Sequence, residues 1–264
     1  MSSHSQSIGD DGAVIGTTVY SKDAFYENVH YKRAWLTPYQ IAAKAMMVNI
    51  SDAVAMNAEP KYALLSVAMP KTLSKHEMSE LARGFKETAS QFGIEIIGGD
   101  TIANVKLDIS VTIVSHAKQP LLRSGLKQGD FLAYTGTLGA PRRDLLTLLN
   151  GGKLHHKSRF ISLHVRDKFI RETRHLLRAG MDISDGLFSD LQKLSKLNGC
   201  GFHFSKKINK AIGCSGEEYE MLIAIPRRQR KSMVRKAKQL RVPLSLFAQV
   251  KRGRFTNRCK AHHF

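Results

Sequence analysis

Seven of the chain's twelve aspartates stand in short polar or glycine-flanked contexts: Gly9-Asp10-Asp11-Gly12, Asp23, Ser51-Asp52, Gly98-Gly99-Asp100-Thr101 and Asp182-Ile183-Ser184-Asp185-Gly186. Carboxylates of this kind suit hard cations such as magnesium, which take oxygen ligands and commonly share them with substrate phosphates. The adjoining glycines allow close backbone approach. Taken singly, an Asp beside Gly is more often a turn or cap residue, so the signal lies in the repetition along one chain. Other nucleotide-binding signatures are absent: there is no G-x-x-x-x-G-K-[ST], no H-R-D loop with a D-F-G, and no G-x-G-x-x-G after a strand. Thr135-Gly136-Thr137-Leu138-Gly139 could cradle a phosphate on its backbone amides, or simply form a tight turn.

The elements that must position these residues alternate between helix and strand. Thr37 and Pro38 fit N-cap and N1 of a helix running through Ile41, Ala45 and Val48 toward Met56, ended by Glu59-Pro60. The strand YALLSVAMP follows. Ser74 and Glu77 form a capping-box pattern ahead of a helix with apolar Met78, Leu81, Phe85, Ala89 and Phe92, and Gly93 takes the C′ place. IEIIG and LDISVTIVSH read as strands separated by a turn-like GGDTIANVK. A boundary falls near Ala117 to Gly129, dividing residues 1–116 from residues 117–264. Beyond it lie the strand FLAYT, a helix around Asp144 to Leu149, a basic helical region near Lys157 to Leu177, the helix GLFSDLQKLSKLNG, strands FHF and MLIAI, a basic helix, and a last strand near Leu244 to Val250. The mixture predicts an α/β or α+β fold.

The formal net charge of +19 is unevenly spread. Residues 1–116 carry 10 Lys/Arg against 12 Asp/Glu, and residues 117–264 carry 31 against 10. The basic run from Arg227 to Lys238 reads first as a solvated helix face and second as a phosphate attractor. No apolar run reaches the roughly 18 to 20 residues of a membrane span, and the start, MSSHSQSIGDDGAVIG, lacks the regions of a signal peptide. A cytoplasmic protein is expected. Cys200, Cys214 and Cys259 are odd in number and lack C-x-x-C spacing, so free thiols are expected rather than a disulfide framework or a zinc site.

The ordered set IGDD, SKDAFYENVHY, VNISD followed by AVAMNAEP, IGGDT, LLRSGLKQGDFLAYTGT, MDISDGLFSDL and SGEEYEML resembles the thiamine-monophosphate kinase family, within the superfamily of aminoimidazole ribonucleotide synthetase. The resemblance spans nearly the whole chain. It implies a two-domain fold: an N-terminal metal- and ATP-binding domain whose sheet pairs with that of a second subunit in a barrel-like dimer core, and a C-terminal α+β domain. It implies transfer of the ATP γ-phosphate to the phosphate of thiamine monophosphate, with several Mg²⁺ ions. Asp11, Asp23, Asp52, Asp100 and Asp182 would ligate the metal, with Ser21 and Asp185 in the same shell. The family's Ser/Thr-Thr-Asp run is here Ser21-Lys22-Asp23, leaving the Lys22 carbonyl as a metal contact. Gly99, Asp100, Thr101, Arg123 and Ser184 would line the ATP site. His30 and Glu217 would contact the thiamine phosphate, and Phe264 or His263 would take the place of the family's terminal Trp or Tyr against the thiamine ring.

Those roles agree with what phosphoryl transfer needs: charge neutralisation and alignment rather than covalent chemistry. No residue need act as a covalent nucleophile, because the acceptor phosphate oxygen is already ionised at neutral pH. Two other readings stand beside this one. A different ATP-dependent enzyme of the superfamily is the first, although selenide chemistry would favour a reactive Cys near the N-terminus, and none precedes Cys200. A basic nucleic-acid-binding protein is the second, but Met221 to Leu246 contains no aromatic residue for base stacking.

Overall fold

The computed structural model describes residues 8–257 and residue 259. The first half builds β1 (Ala13–Ile15), β2 (Thr18–Tyr26), α1 (Pro38–Ala55), β3 (Glu59–Pro70), α2 (Lys75–Gln91), β4 (Glu95–Asn104) and β5 (Asp108–His116). The second builds β6 (Phe131–Thr135), α3 (Ala140–Leu149), α4 (Asp167–Thr173), β7 (Ala179–Asp182), α5 (Leu187–Asn198), β8 (Gly201–Phe204), α6 (Lys210–Gly213), β9 (Met221–Ile225), α7 (Arg230–Gln239) and β10 (Leu244–Lys251). The strands form two five-stranded sheets, ordered β1-β2-β5-β3-β4 and β7-β9-β6-β10-β8. All pairings are antiparallel except β3 with β4.

Helix α1 starts where its cap is strongest. Thr37 accepts from the Gln40 amide, the Gln40 side chain accepts from the Thr37 amide, and Pro38 opens the first turn. Ser74 and Glu77 make the same reciprocal pair at α2. Buried residues lie all around α1, from Ile41, Ala45 and Met46 to Lys44, Asn49 and Ser51. A helix buried on every side is one lying between layers, and α1 packs on β2, β3 and β5 of the first sheet and on β7 of the second. One core accordingly joins Ile41, Met46, Ile109 and Ile113 with Leu121, Met221, Ile223 and Ile225. The other face of β9, Leu222 and Ala224, packs with Met181, Leu187, Leu191 and Leu194 under α5.

The opposite face of the first sheet is open. Tyr20 and Tyr26 on β2, Tyr62 and Leu64 on β3, and Ile97 and Ile102 on β4 are exposed. All ten residues of β4 are exposed, at the free edge of the sheet.

Three sequence expectations change. Gly98 to Asn104 is strand rather than turn, because β4 continues in parallel register with β3 through Pro70 opposite Asn104. A Cβ on Gly99 would lie 1.7 Å from the Leu65 carbonyl oxygen, and its φ is +149°, so the strand continues there only because the residue is glycine. The expected helix from Lys157 to Leu177 is limited to α4 and a 3₁₀ turn at Arg174–Leu176. Upstream, Ser158 and the Phe160 amide donate to Asp144, and the Arg159 guanidinium is drawn to the Glu218 carbonyl and Glu220, which hold this stretch in a non-helical path. Two of the three expected free thiols are bonded: Cys214 and Cys259 form a disulfide, and Cys200 alone is free and buried. The cysteines are 45 residues apart and meet because the chain returns along α5, with the Phe255 amide bonded to Ser195 and Asn257 to Gln192 and Ser189. Local spacing carries no trace of such a pairing.

Gly84 sets the separation of α1 and α2: a Cβ there would meet the Tyr39 carbonyl oxygen at 2.4 Å and the Ala42 methyl at 2.9 Å. Gly84→Ala gains about 1 kcal/mol in helix propensity. It is nonetheless expected to lose about 2 kcal/mol overall through overpacking. Urea unfolding checks this; a net gain would show that α2 moves aside freely.

Candidate active site

Carboxylates from three distant segments converge at one end of α1. Oxygens of Asp11, in the loop before β1, Asp52, on α1, and Asp182, ending β7, all lie within 4.8 Å of one another. Asp23 adds its charge to Asp52. The placement follows from strand alternation and the helix repeat. Val19, Ser21, Asp23 and Phe25 share the face of β2 that meets α1. There the Ser21 hydroxyl donates to the Asn49 carbonyl (3.3 Å), and the Asp23 amide donates to Asn49 Oδ1 (2.8 Å). Two residues along, the Ser51 hydroxyl donates to Asp182 Oδ2 (2.6 Å), tying the first half of the chain to the second.

Burial makes this cluster costly as anions. It pushes Asp11 up to about 8, although the Arg123 guanidinium opposes the shift. Asp52 is raised by burial and then by Asp23, Asp182 and Asp11, and Asp182 is raised chiefly by burial. Among the described residues, Asp11 Oδ2 and Asp182 Oδ1 are buried with no hydrogen-bond partner. Unpartnered buried carboxylate oxygens converging at this spacing are suited to a hard divalent cation shared with further oxygen ligands.

Arg123, expected beside ATP, faces Asp11 in an ion pair and donates also to the Gly9 carbonyl, while its amide donates to Asp10 Oδ1 (2.6 Å). Asp185 is bound by Lys193 (2.7 Å), which also holds the buried Asp190 (2.7 Å). The Ser184 carbonyl accepts from the Glu217 amide (2.7 Å) and the Ile183 carbonyl from the Tyr219 amide (2.9 Å), so the Asp182–Gly186 loop and the Glu217–Glu220 segment are bonded side by side. Glu217 and Tyr219 hold φ of +56° and +49°, left-handed values that are strained for side chains of this size.

Two expected metal contacts lie apart from the cluster. The Lys22 side chain is on the outward face of β2, bonded to Ser110 (2.6 Å), leaving only its backbone on the cluster's strand. Asp100 pairs in register with Ser66, in the exposed row with Leu64, and its carboxylate accepts from the Thr101 amide (2.8 Å). With Gly99 and Thr101 it borders a groove of about 350 Å³ floored by Leu65, Val67 and Met69. His30 follows β2, its Nδ1 accepting from the Tyr26 amide (2.9 Å) and its ring stacked on Phe25 at 5.7 Å. Phe264 and His263 lie outside the described residues.

The Thr135–Gly139 loop has other partners than a phosphate. Thr135 donates to Glu220, a Cβ on Gly136 would lie 2.0 Å from the Glu220 carboxylate, and the Gly139 amide donates to Glu218, which burial pushes up to about 7. Glu220 is fully buried and also receives Arg159 (2.9 Å) and Arg166 (2.7 Å). Sequence reading missed these arginines and Lys44 on α1, and it quoted Asn49 and Ser51 within VNISD without giving them a role. A lysine, an asparagine and a serine inside the apolar run IAAKAMMVNIS were the available signal.

Residues 9–117 match the family described as AIR synthase related protein, N-terminal domain. The thiamine-monophosphate kinase of Buchnera aphidicola subsp. Schizaphis graminum is 30% identical over 258 residues, covering 86% of this chain and 78% of the relative. Among solved structures, AaThiL complexed with AMPPCP and TMP superposes with a TM-score of 0.84 at 25% identity, covering 95% of this chain and 87% of that one. The thiamine-monophosphate kinase of Stenotrophomonas maltophilia K279a gives 0.81 at 26%, covering 94% and 88%. With a relative 30% identical over most of both chains, the chain belongs to the thiamine-monophosphate kinase family.

Proposed function

We infer that the chain phosphorylates thiamine monophosphate to thiamine diphosphate, with ATP as the donor. The observation that carries this reading is the convergence of Asp11, Asp52 and Asp182, with orphaned buried oxygens, in a chain 30% identical to a kinase of that name. Asp11, Asp23, Asp52 and Asp182 would hold magnesium, with Ser21, the Lys22 carbonyl and Asp185 around them. Bound magnesium supplies the positive charge that offsets repulsion between donor and acceptor phosphates. The chain's own residues orient the two substrates. Ser184 and Arg123 stand beside the carboxylates on the donor side, and Glu217 and His30 serve the acceptor. No side chain forms a covalent intermediate.

The open sheet face supports a homodimer in which two copies cover Tyr20, Tyr62, Leu64 and Ile102. This arrangement gives Asp100, Gly99 and Thr101, exposed on β4, a route to a site shared between subunits. Residues 1–116 then supply metal binding and pairing, and residues 117–264 close over the nucleotide. Among the described residues no helix is long and apolar enough to cross a membrane, which fits a cytoplasmic setting. The basic helix α7 is read as a solvated face, with nucleic acid not a partner.

Purified protein given ATP, Mg²⁺ and thiamine monophosphate should form thiamine diphosphate and ADP, whereas other phosphorylated acceptors should not react. Absence of product from folded protein would refute the reading. Asp100→Asn should lower kcat by at least about 100-fold, the scale for losing a charge-stabilising group. Because Asp100 is exposed, the melting temperature should stay within about 1 °C.

Magnesium at about 100 times its dissociation constant should stabilise the protein by about 2.7 kcal/mol, raising Tm by several degrees. Asp52→Asn removes the carboxyl whose ionisation burial and its acidic neighbours oppose, so its Tm in chelator should exceed that of the wild type while its Mg²⁺ response shrinks. Differential scanning fluorimetry with and without the metal reads both effects. Light scattering should give twice the chain mass for the wild type and the single-chain mass for Leu64→Glu; a monomeric wild type would remove the shared-site arrangement.

A further inference from the structure

Lys44 is among the largest fully buried side chains of the protein, and it sits on the helix that carries Asp52. Its Nζ donates to Glu217 Oε2 at 2.6 Å. It also lies 3.6 Å from the centroid of the Phe160 ring and 5.8 Å from that of Phe25. The side chain is 0% exposed, against 27% for Glu217, so the carboxylate is the member of the pair that reaches the surface of the site. A charge without solvent persists only with a well-placed partner, and here that partner is a left-handed glutamate on the segment bonded to the Asp182–Gly186 loop.

The aromatic contacts extend the same point of attachment. Phe25 stacks on His30 at 5.7 Å and on Tyr31 at 4.7 Å. The two residues expected at the acceptor, 187 positions apart in sequence, are thus joined through one ammonium: Glu217 by a charged hydrogen bond and His30 through the ring of Phe25. Neither neighbour on the chain fixes Glu217 in this way, because its backbone bond to Ser184 sets the main chain and leaves the carboxylate to be oriented by Lys44.

We propose that Lys44 is a positioning residue for the acceptor substrate, holding the Glu217 carboxylate, and through Phe25 the His30 ring, in the arrangement that receives thiamine monophosphate. This rests on the functional reading above. A residue acting in this way alters acceptor binding and leaves the donor side, with Asp52 and Asp182 tied through Ser51, in place.

Steady-state kinetics on Lys44→Met, which keeps the length of the side chain and removes the charge, tests the inference. The KM for thiamine monophosphate should rise about tenfold or more, the scale of one charge-assisted hydrogen bond, while the KM for ATP stays within twofold. The double variant Lys44→Met/Glu217→Gln should be no worse than Glu217→Gln, since the lysine acts through that carboxylate. If Lys44→Met does not fold, Lys44→Arg serves instead: it retains charge but not the point geometry, and should raise the same KM by a smaller factor. An unchanged acceptor KM, an equal rise for ATP, or additive effects in the double variant would overturn the proposal while leaving the kinase reading intact. A wild-type protein without turnover overturns both.

Discussion

Three carboxylates held within 4.8 Å of one another, largely out of water, would as anions repel each other in a medium that screens them poorly. The fold brings them there by three independent routes: a loop before the first strand, the end of a helix between two sheets, and the last residue of a strand in the second sheet. None of the three could be gathered by local sequence forces. Their juxtaposition therefore depends on the packing of α1, and packing has to overcome the repulsion when no cation is present. Binding sites commonly lower the stability of the protein that contains them, and the buried, unpartnered oxygens of Asp11 and Asp182 mark where that happens here.

Around this point the structure distributes opposite charges in graded fashion. Arg123 pairs with Asp11, Lys193 with both Asp185 and Asp190, and Lys44 with Glu217. Farther away, Arg159 and Arg166 converge on the single buried Glu220. Each basic group is assigned to a specific carboxylate, so the high net charge of the second half does not act as an undirected field near the site. Part of the excess lies on α7 and its flanks, where Arg230 packs on Phe131 and Lys236 pairs with Glu172 at the surface.

Much of the fold can be read from residues whose role is local. Thr37, Pro38 and Gln40, and Ser74 with Glu77, announce the two long helices because a cap acts on the nearest turn. β5 is equally legible, since Ile109, Val111 and Ile113 alternate cleanly with polar positions. β2 is harder to read: its inward face carries Ser21 and Asp23 among Val19 and Phe25, so the chemistry interrupts the apolar period that identifies a strand. At the candidate site, the motifs name Asp11, Asp52 and Asp182. They leave out Lys44 and include Glu220 without a role, because the significance of both arises from partners more than fifty residues away. The Thr135–Gly139 loop illustrates the same limit, because a glycine-rich turn that can accept an anion on its amides gives no sign that the anion is a glutamate of the same chain.

β4 is exposed along its ten residues and ends its sheet, leaving main-chain donors and acceptors on one side without a neighbouring strand. Such an edge is a template for any extended polypeptide, and charged side chains are one means by which proteins discourage that addition. Asp100 is the acidic residue in the middle of this edge, preceded by Gly98 and Gly99, whose conformations break its flatness. A carboxylate at this place disfavours the addition of a further strand. Neutralising it leaves the edge without that charge, so the Asp100→Asn variant becomes more prone to strand addition as its concentration rises.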